Sequence, residues 1–435
     1  MCKRDKKGLR KIDLNLVMNF QKQAILQQEK FTIGIGSIAA LYCVLITNMR
    51  PSILGQKFGT TFTLIVLLSL LFYFLVKQKL TLKHSKERIT FLVFYLLMLF
   101  YTFFQLLFLS PDKVIDGFKV FIFLFLGFAP ILILNGSTIK KFSKIYIYII
   151  FVFGISYLVS YMLFFSGTTF IVGNIQLQMS ETYIYSFDVL FPFSPIYNGP
   201  ANLGGFKVPR AIGFAREPGL YQMMIIIAFW LQDYYKFNNN LFIKSILISS
   251  LLFTFSTTGY VILIITFGYK FIKTIKKINN WYLILIIPIT ILVLYVVIFS
   301  NNQFSISNKV YSGSGLMRIE ATLTSLEIIR NNFLFGVGFH IRPEGIPIGI
   351  NYLGTIAQLG FIGTIIYLMP FLYVLKKIYN KSYQFLNIYV VIILTMLLAQ
   401  PLYDKPLTFL FTGILLLLST NTAKDYKEGI MISKV

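Results

Sequence analysis

Between residues 204 and 222 the chain reads GGFKVPRAIGFAREPGLYQ, and three of its side chains have the chemistry to hold and process an anion: Arg210, Arg216 and Glu217. They stand just ahead of an apolar run that begins at Pro218, a residue suited to the first turn of a helix, where a missing N–H costs nothing. An anion placed there would meet backbone N–H groups, the positive end of a helix and two guanidiniums, a set suited to phosphate or pyrophosphate. A plainer role fits the same residues: Arg216 and Glu217 would then be interfacial charges snorkelling at the end of a span.

A second polar stretch, GSGLMRIEATLTSLEIIRNNFLFGVGFH, runs from Gly313 to His340. Leu316, Ile319, Leu323 and Leu326 recur at helical spacing and form an apolar stripe, while Arg318, Thr322 and Ser325 form a polar one. The pattern predicts an amphipathic helix lying at a membrane interface, whose polar stripe could turn Arg318 toward the same cavity as Arg210 and Arg216. Arg330 and Arg342 are lesser candidates. His340 follows GVGF, where glycines permit a tight turn and close backbone approach to a ligand. It could serve as a general base, or equally as a structural hydrogen-bonding residue. Glu217 competes for the role of base.

These residues must be positioned by a chain that is 56% apolar and 13% charged, against about 45–50% and about 25% in ordinary globular domains. Twelve apolar runs are long enough to read as membrane spans: 31–49, 59–76, 89–109, 118–134, 142–165, 218–232, 241–256, 258–272, 281–299, 351–375, 385–400 and 406–420. The expected fold is an all-α polytopic integral membrane protein with one transmembrane domain over 31–420. A basic segment (1–30) and a tail (421–435) are both expected in the cytoplasm. Two long loops, about 166–217 and 300–350, fall on the outer face and carry the candidate residues.

The net charge of +24 comes from 40 Lys and Arg against 16 Asp and Glu, set in short intervals between apolar runs. Lys77, Lys79, Lys83, Lys86 and Arg88, then Lys270, Lys273, Lys276 and Lys277, fall on the inside of that topology, as the positive-inside bias requires. No basic stripe lies on a soluble element, which argues against nucleic acid as a partner. Two Cys (Cys2, Cys43) and two His (His84, His340) are too few and too scattered for a zinc site, so no metal is expected. No cofactor motif is present: a phosphate-binding GxxxxGK[ST] loop, HExxH and GxSxG are all missing.

Three segments together resemble the O-antigen ligase and surface-polysaccharide polymerase superfamily of bacteria. They are RAIGFAREPG at 210–219, GLMRIEATLTSLEIIRNNFLFGVGF at 315–339 and NYLGTIAQLGFIGTI at 351–365. The first is similar to the family's Arg–x–x–Gly–Phe–x–x–Glu–Pro pattern, with one extra residue before the Glu. The resemblance implies transfer of a glycan from a polyprenyl-diphosphate carrier to an acceptor, outside the cytoplasmic membrane. Neither nucleotide sugar nor metal takes part. By position it matches Arg210, Glu217 and Arg318 to residues of the family's motifs; Arg210, Arg216 and Arg318 are then expected to hold the diphosphate, and Glu217 or His340 to take the acceptor's proton. It also implies a chain-length regulator and a flippase of the same pathway as partners. Ligases typically carry His just before the Asn matched by Asn351; here that residue is Ile350, which favours polymerase over the alternative, ligation to lipid A core. A lipid-linked oligosaccharide flippase or other transporter is a second alternative. It is disfavoured because the runs are nearly free of acidic residues and the two halves show no similarity.

Overall fold

The computed structural model describes residues 34, 36–77, 86–109, 111, 114–178, 184–203, 206–237, 239–275, 313–338, 352–381, 385–398 and 405–427. The protein is mostly helical. Among the described residues four helices are long and apolar enough to cross a bilayer: α3 (Gly59–Val76), α4 (Lys86–Phe108), α7 (Gly136–Phe165) and α12 (Tyr352–Lys381). Shorter apolar helices accompany them. These are α1 (Gly36–Thr47), α5 (Val114–Phe128) with its continuation α6 (Pro130–Ile133), α9 (Asn240–Leu252), α10 (Thr257–Ile275), α13 (Leu386–Leu398) and α14 (Pro406–Lys427). A short α2 (Ile53–Lys57), a central α8 (Pro218–Tyr235) and α11 (Gly313–Asn331) complete the helical set among the described residues. This is the build of a membrane-spanning protein. Each apolar run expected from the sequence coincides with a helix, apart from 281–299, which lies outside the described residues.

Local chemistry explains several boundaries. Asn135 caps α7: its Oδ1 accepts from the backbone N–H of Thr138 at 2.9 Å, satisfying one of the donors a helix start leaves open. At the other end of α8, Lys236 adopts a left-handed conformation and donates its N–H to Gln232, closing the last turn.

The helix α8 is buried along nearly its whole length, from Pro218 to Gln232. Among the described elements α7, α9, α10 and α13 enclose it, so its apolar residues and its Gln222 and Gln232 are all covered by protein. Small residues let the neighbours approach. A Cβ on Gly154 of α7 would lie 2.7 Å from Ile246 of α9, and one on Gly259 would collide with the side chain of Gln222 in α8. At the α8–α9 turn Asp233 pairs with Lys244, and Glu87 of α4 pairs with Lys377 of α12 at 3.1 Å.

The all-α expectation needs correction. Within the loop 166–217 lies a four-stranded antiparallel meander, β1 (Ile171–Gln178), β2 (Ile184–Leu190), β3 (Ser194–Leu203) and β4 (Phe206–Ala211), in that spatial order. The physical reason is visible in IQLQ and YSFDV, which alternate with period two: Leu177 and Phe187 are buried, with Ile53 and Ile212 packed against them.

The third motif segment is bent. In α12 the helix breaks at Gly360 (φ 67°, ψ −179°), and the 332–338 turn after α11 docks into the break. Val337 and Gly338 donate to the carbonyls of Ala357 and Gln358, while Phe361 and Ile362 donate back to Phe333 and Leu334, at 2.8 to 3.2 Å. Gln105 of α4 closes the joint, its Nε2 donating to the carbonyl of Phe335 at 2.7 Å.

Candidate functional site

The segment 210–217 is clamped from two sides. On one side Tyr157 and Tyr161, one turn apart on α7, reach the backbone flanking Arg210. The Tyr157 hydroxyl accepts from the N–H groups of Ile212 (3.1 Å) and Gly213 (2.7 Å) and donates to the carbonyl of Pro195. The Tyr161 hydroxyl donates to the carbonyl of Pro209. On the other side the link between α1 and α2 pairs with the segment: Ile53 donates to Phe214 at 2.9 Å, and Arg216 donates to Pro51 at 3.1 Å. Gly213 is required where it stands, because its φ is +57° and a Cβ there would sit 2.2 Å from the Tyr221 ring.

Replacing Tyr157 by Phe leaves the N–H of Gly213 without its partner, and leaves Ile212 and Pro195 only their long bond to each other, at 3.4 Å. At about 1–3 kcal/mol for a buried group deprived of its hydrogen bond, the variant should lose about 2 kcal/mol, measured as thermal unfolding in detergent. Tyr161→Phe should cost less, because Phe253, its second acceptor, also receives the N–H of Ala211 at 2.9 Å.

Arg210 lies on β4, opposite Tyr197 of β3 in the register, and its guanidinium sits over the Tyr197 ring at 5.5 Å. Its Nε donates to the carbonyl of Thr254 in the turn between α9 and α10, at 3.3 Å. Among the described residues no acceptor engages its Nη atoms. Burial lowers the pKa of Arg210 from the ordinary arginine value; Tyr197, Tyr260, Tyr161 and Glu217 act in the opposite direction. Arginine still keeps its proton in such a setting, so this is a cation held in low dielectric with its planar fork open to a ligand.

Arg216 and Glu217 form an ion pair, Nη2 to Oε1 at 2.8 Å, about a quarter and a third exposed. Glu217 is the N-cap of α8 but makes no side-chain cap bond. Its own carbonyl accepts from the N–H groups of Leu220 and Tyr221, both at 3.2 Å. The helix end is therefore partly self-satisfied, which leaves the guanidiniums as the groups with the chemistry to hold an anion. Arg210 and Glu217 are close enough to feel one another's charge.

The structure thus brings Arg210, Arg216 and Glu217 together. Arg318 lies in α11, one and two turns before Thr322 and Ser325 along the helix. Among the described neighbours of α11 the main one is α12, and the face turned inward carries Ala321 and Ser325. Leu316, Ile319, Leu323 and Leu326 are exposed, as a stripe facing lipid would be. His340, Arg342, Ile350 and His84 lie outside the described residues. Arg330 is exposed at the end of α11.

Sequence reasoning missed Tyr157, Tyr161, Tyr197 and the carbonyl of Thr254. A signal for the first two was present: SYLVSY at 156–161 puts two Ser and two Tyr at i, i+4 spacing within an otherwise apolar helix, one polar stripe facing protein. No family model and no curated protein matches the chain.

Proposed function

We propose that the protein is a membrane glycosyltransferase that joins polyprenyl-diphosphate-linked oligosaccharide repeat units into a surface polysaccharide, O-antigen or capsule. The reaction takes place on the outer face of the bacterial cytoplasmic membrane, in a chain crossing twelve times with both termini inside. The observation that supports this reading is the partly buried guanidinium of Arg210, held by Tyr197 and the carbonyl of Thr254 with its Nη fork unengaged among the described residues. A cation preorganised in this way suits a diphosphate that gains charge as it leaves. The reaction itself is simple in outline. An acceptor hydroxyl on the incoming unit attacks the anomeric carbon, the new C–O bond forms as the sugar–phosphate bond breaks, and the lipid diphosphate departs with the electron pair. Glu217, held by Arg216, or His340 takes the hydroxyl proton. A chain-length regulator and a flippase of the same pathway are the partners this reading implies.

The test is reconstitution: purified protein in liposomes, supplied with native polyprenyl-diphosphate repeat units and read on a gel. A ladder formed without ATP or added metal is the expected result. Transfer of a chain to lipid A core, with no ladder, would replace this reading by ligation. Failure of both by folded protein with authentic substrate would point to transport instead.

A further inference from the structure

Helix α7 offers a ruler for depth. After Lys144, α7 carries no charged residue from Ile145 to Phe165, a stretch of 21 residues. At 1.5 Å per residue it spans roughly 32 Å, about the hydrocarbon thickness of a bilayer. With Lys144 at one boundary, Phe165 therefore marks the other.

The turn that joins β2 to β3 lies far below that mark. The N–H of Phe193 donates to Ser156 Oγ at 3.2 Å, and Ser160 Oγ donates to the carbonyl of Phe191 at 2.6 Å. The Phe193 ring meets the Phe153 ring edge to face at 5.8 Å. Ser160 and Ser156 stand five and nine residues before Phe165, so this turn sits roughly 8–14 Å beneath the end of α7. The chain beyond α7 returns to the same depth: Phe170 gives its carbonyl to the N–H of Phe191 at 2.9 Å.

Two aromatic side chains of this turn are nonetheless uncovered, Phe191 by 47% and Phe193 by 43%, and Ile155 and Met162 of α7 are exposed as well. Phe170, Ile171 and Val172 extend that surface. The polar bonds of the turn are directed inward, to Ser156, Ser160 and Ser194, as required of non-helical backbone at membrane depth. The opposite character appears farther along the same sheet, where Asn174, Ser186 and Asp188 bond one another on an exposed polar surface.

We infer that the root of the sheet is re-entrant. The Phe191–Ser194 turn and the start of β1 are immersed in the acyl chains of the leaflet at the C-terminal end of α7, with Phe191 and Phe193 facing lipid and the Asn174–Asp188 surface facing water. The inference is independent of the proposed reaction. Its consequence for the site is that Arg210, bonded at the level of Tyr161 and Tyr157, lies roughly 6–12 Å below the end of α7, beside lipid rather than above it.

Single nitroxide labels on Cys substitutions of the full-length protein in liposomes test this, in a Cys2→Ser background that keeps the buried Cys43. Collision with oxygen is compared with collision with water-soluble nickel chelate. Phe191→Cys, Phe193→Cys and Phe170→Cys should show an oxygen-to-nickel ratio equal to that of Met162→Cys and severalfold above that of Gln176→Cys. A ratio at the three Phe positions equal to that at Gln176 would overturn the proposal and place the turn in water, whether above the bilayer or in a water-filled cavity. Should the Cys variants fail to elute as folded protein, Phe193→Trp read by brominated-lipid quenching replaces them; no quenching beyond that of the wild-type Trp signal has the same negative meaning. Neither readout depends on glycan synthesis, so loss of the proposed function leaves this result standing.

Discussion

Arg210→Ala should stop glycan chain elongation while the protein remains folded in the membrane. Under the proposed function this guanidinium is the best-held positive charge at the leaving diphosphate, and removal of one preorganised electrostatic group costs about 10²–10³ in turnover. The fold should tolerate the change, because the backbone on both sides of Arg210 is bonded by Tyr161, Tyr157 and Phe253 independently of its side chain. Arg210→Lys should not rescue activity: an ammonium keeps the charge but cannot combine the Nε bond to Thr254 and the planar seat over Tyr197 with a free fork. Glycan length read on gels from cells carrying each variant, with membrane abundance as the control, checks both statements. Full-length polysaccharide from folded Arg210→Ala protein would remove Arg210 from the chemistry.

Gly360→Ala and Gly336→Ala should each abolish accumulation of folded protein. Both glycines have positive φ, +67° and +71°, and each Cβ would lie 2.4 Å from backbone atoms of the other segment. A left-handed alanine alone costs on the order of 1–3 kcal/mol, and backbone cannot yield as a side-chain tip can. The contact also carries the four bonds that tie the turn after α11 to the break in α12, so the loss should approach the whole stability of that joint. Gly173→Ala is the matching control, since nothing lies within 4 Å of its added Cβ. Detergent-solubilised yield and monodispersity by size exclusion measure all three. Wild-type behaviour of Gly360→Ala would show that the joint does not govern folding.

These cases show what can be read from residue order. Apolar runs announce themselves because a span must be apolar over its full length, and Asn135 or Pro218 marks a helix start by a bond made within a few residues. The grouping of Arg210, Arg216 and Glu217 is equally local. The sheet is hard to read because its alternating stretches, IQLQ and YSFDV, are only four and five residues long within a loop rich in Gly, Pro and aromatics. The GVGF glycines were read as room for a ligand, whereas the close neighbour of Gly336 is the backbone of Gly360, 24 residues away. In α11 the leucine stripe was recognisable and is exposed, while the buried positions are the small ones, Ala321 and Ser325, because close helix packing favours small side chains. Partners such as Tyr157 for Gly213, 56 residues apart, are set by tertiary packing alone.

The enclosure of α8 has a further meaning for the order in which the chain is made. Of its four neighbours, α7 precedes it and α9 and α10 follow at once, but α13 (Leu386–Leu398) emerges about 150 residues later. Until then one side of α8, where Tyr234 meets the ring of Phe385 at the start of α13, has no protein against it. The enclosure of α8 thus stays incomplete while residues 236–385, about a third of the chain, are being made. A chain truncated before residue 386 would present that open flank to the quality-control proteases of the membrane.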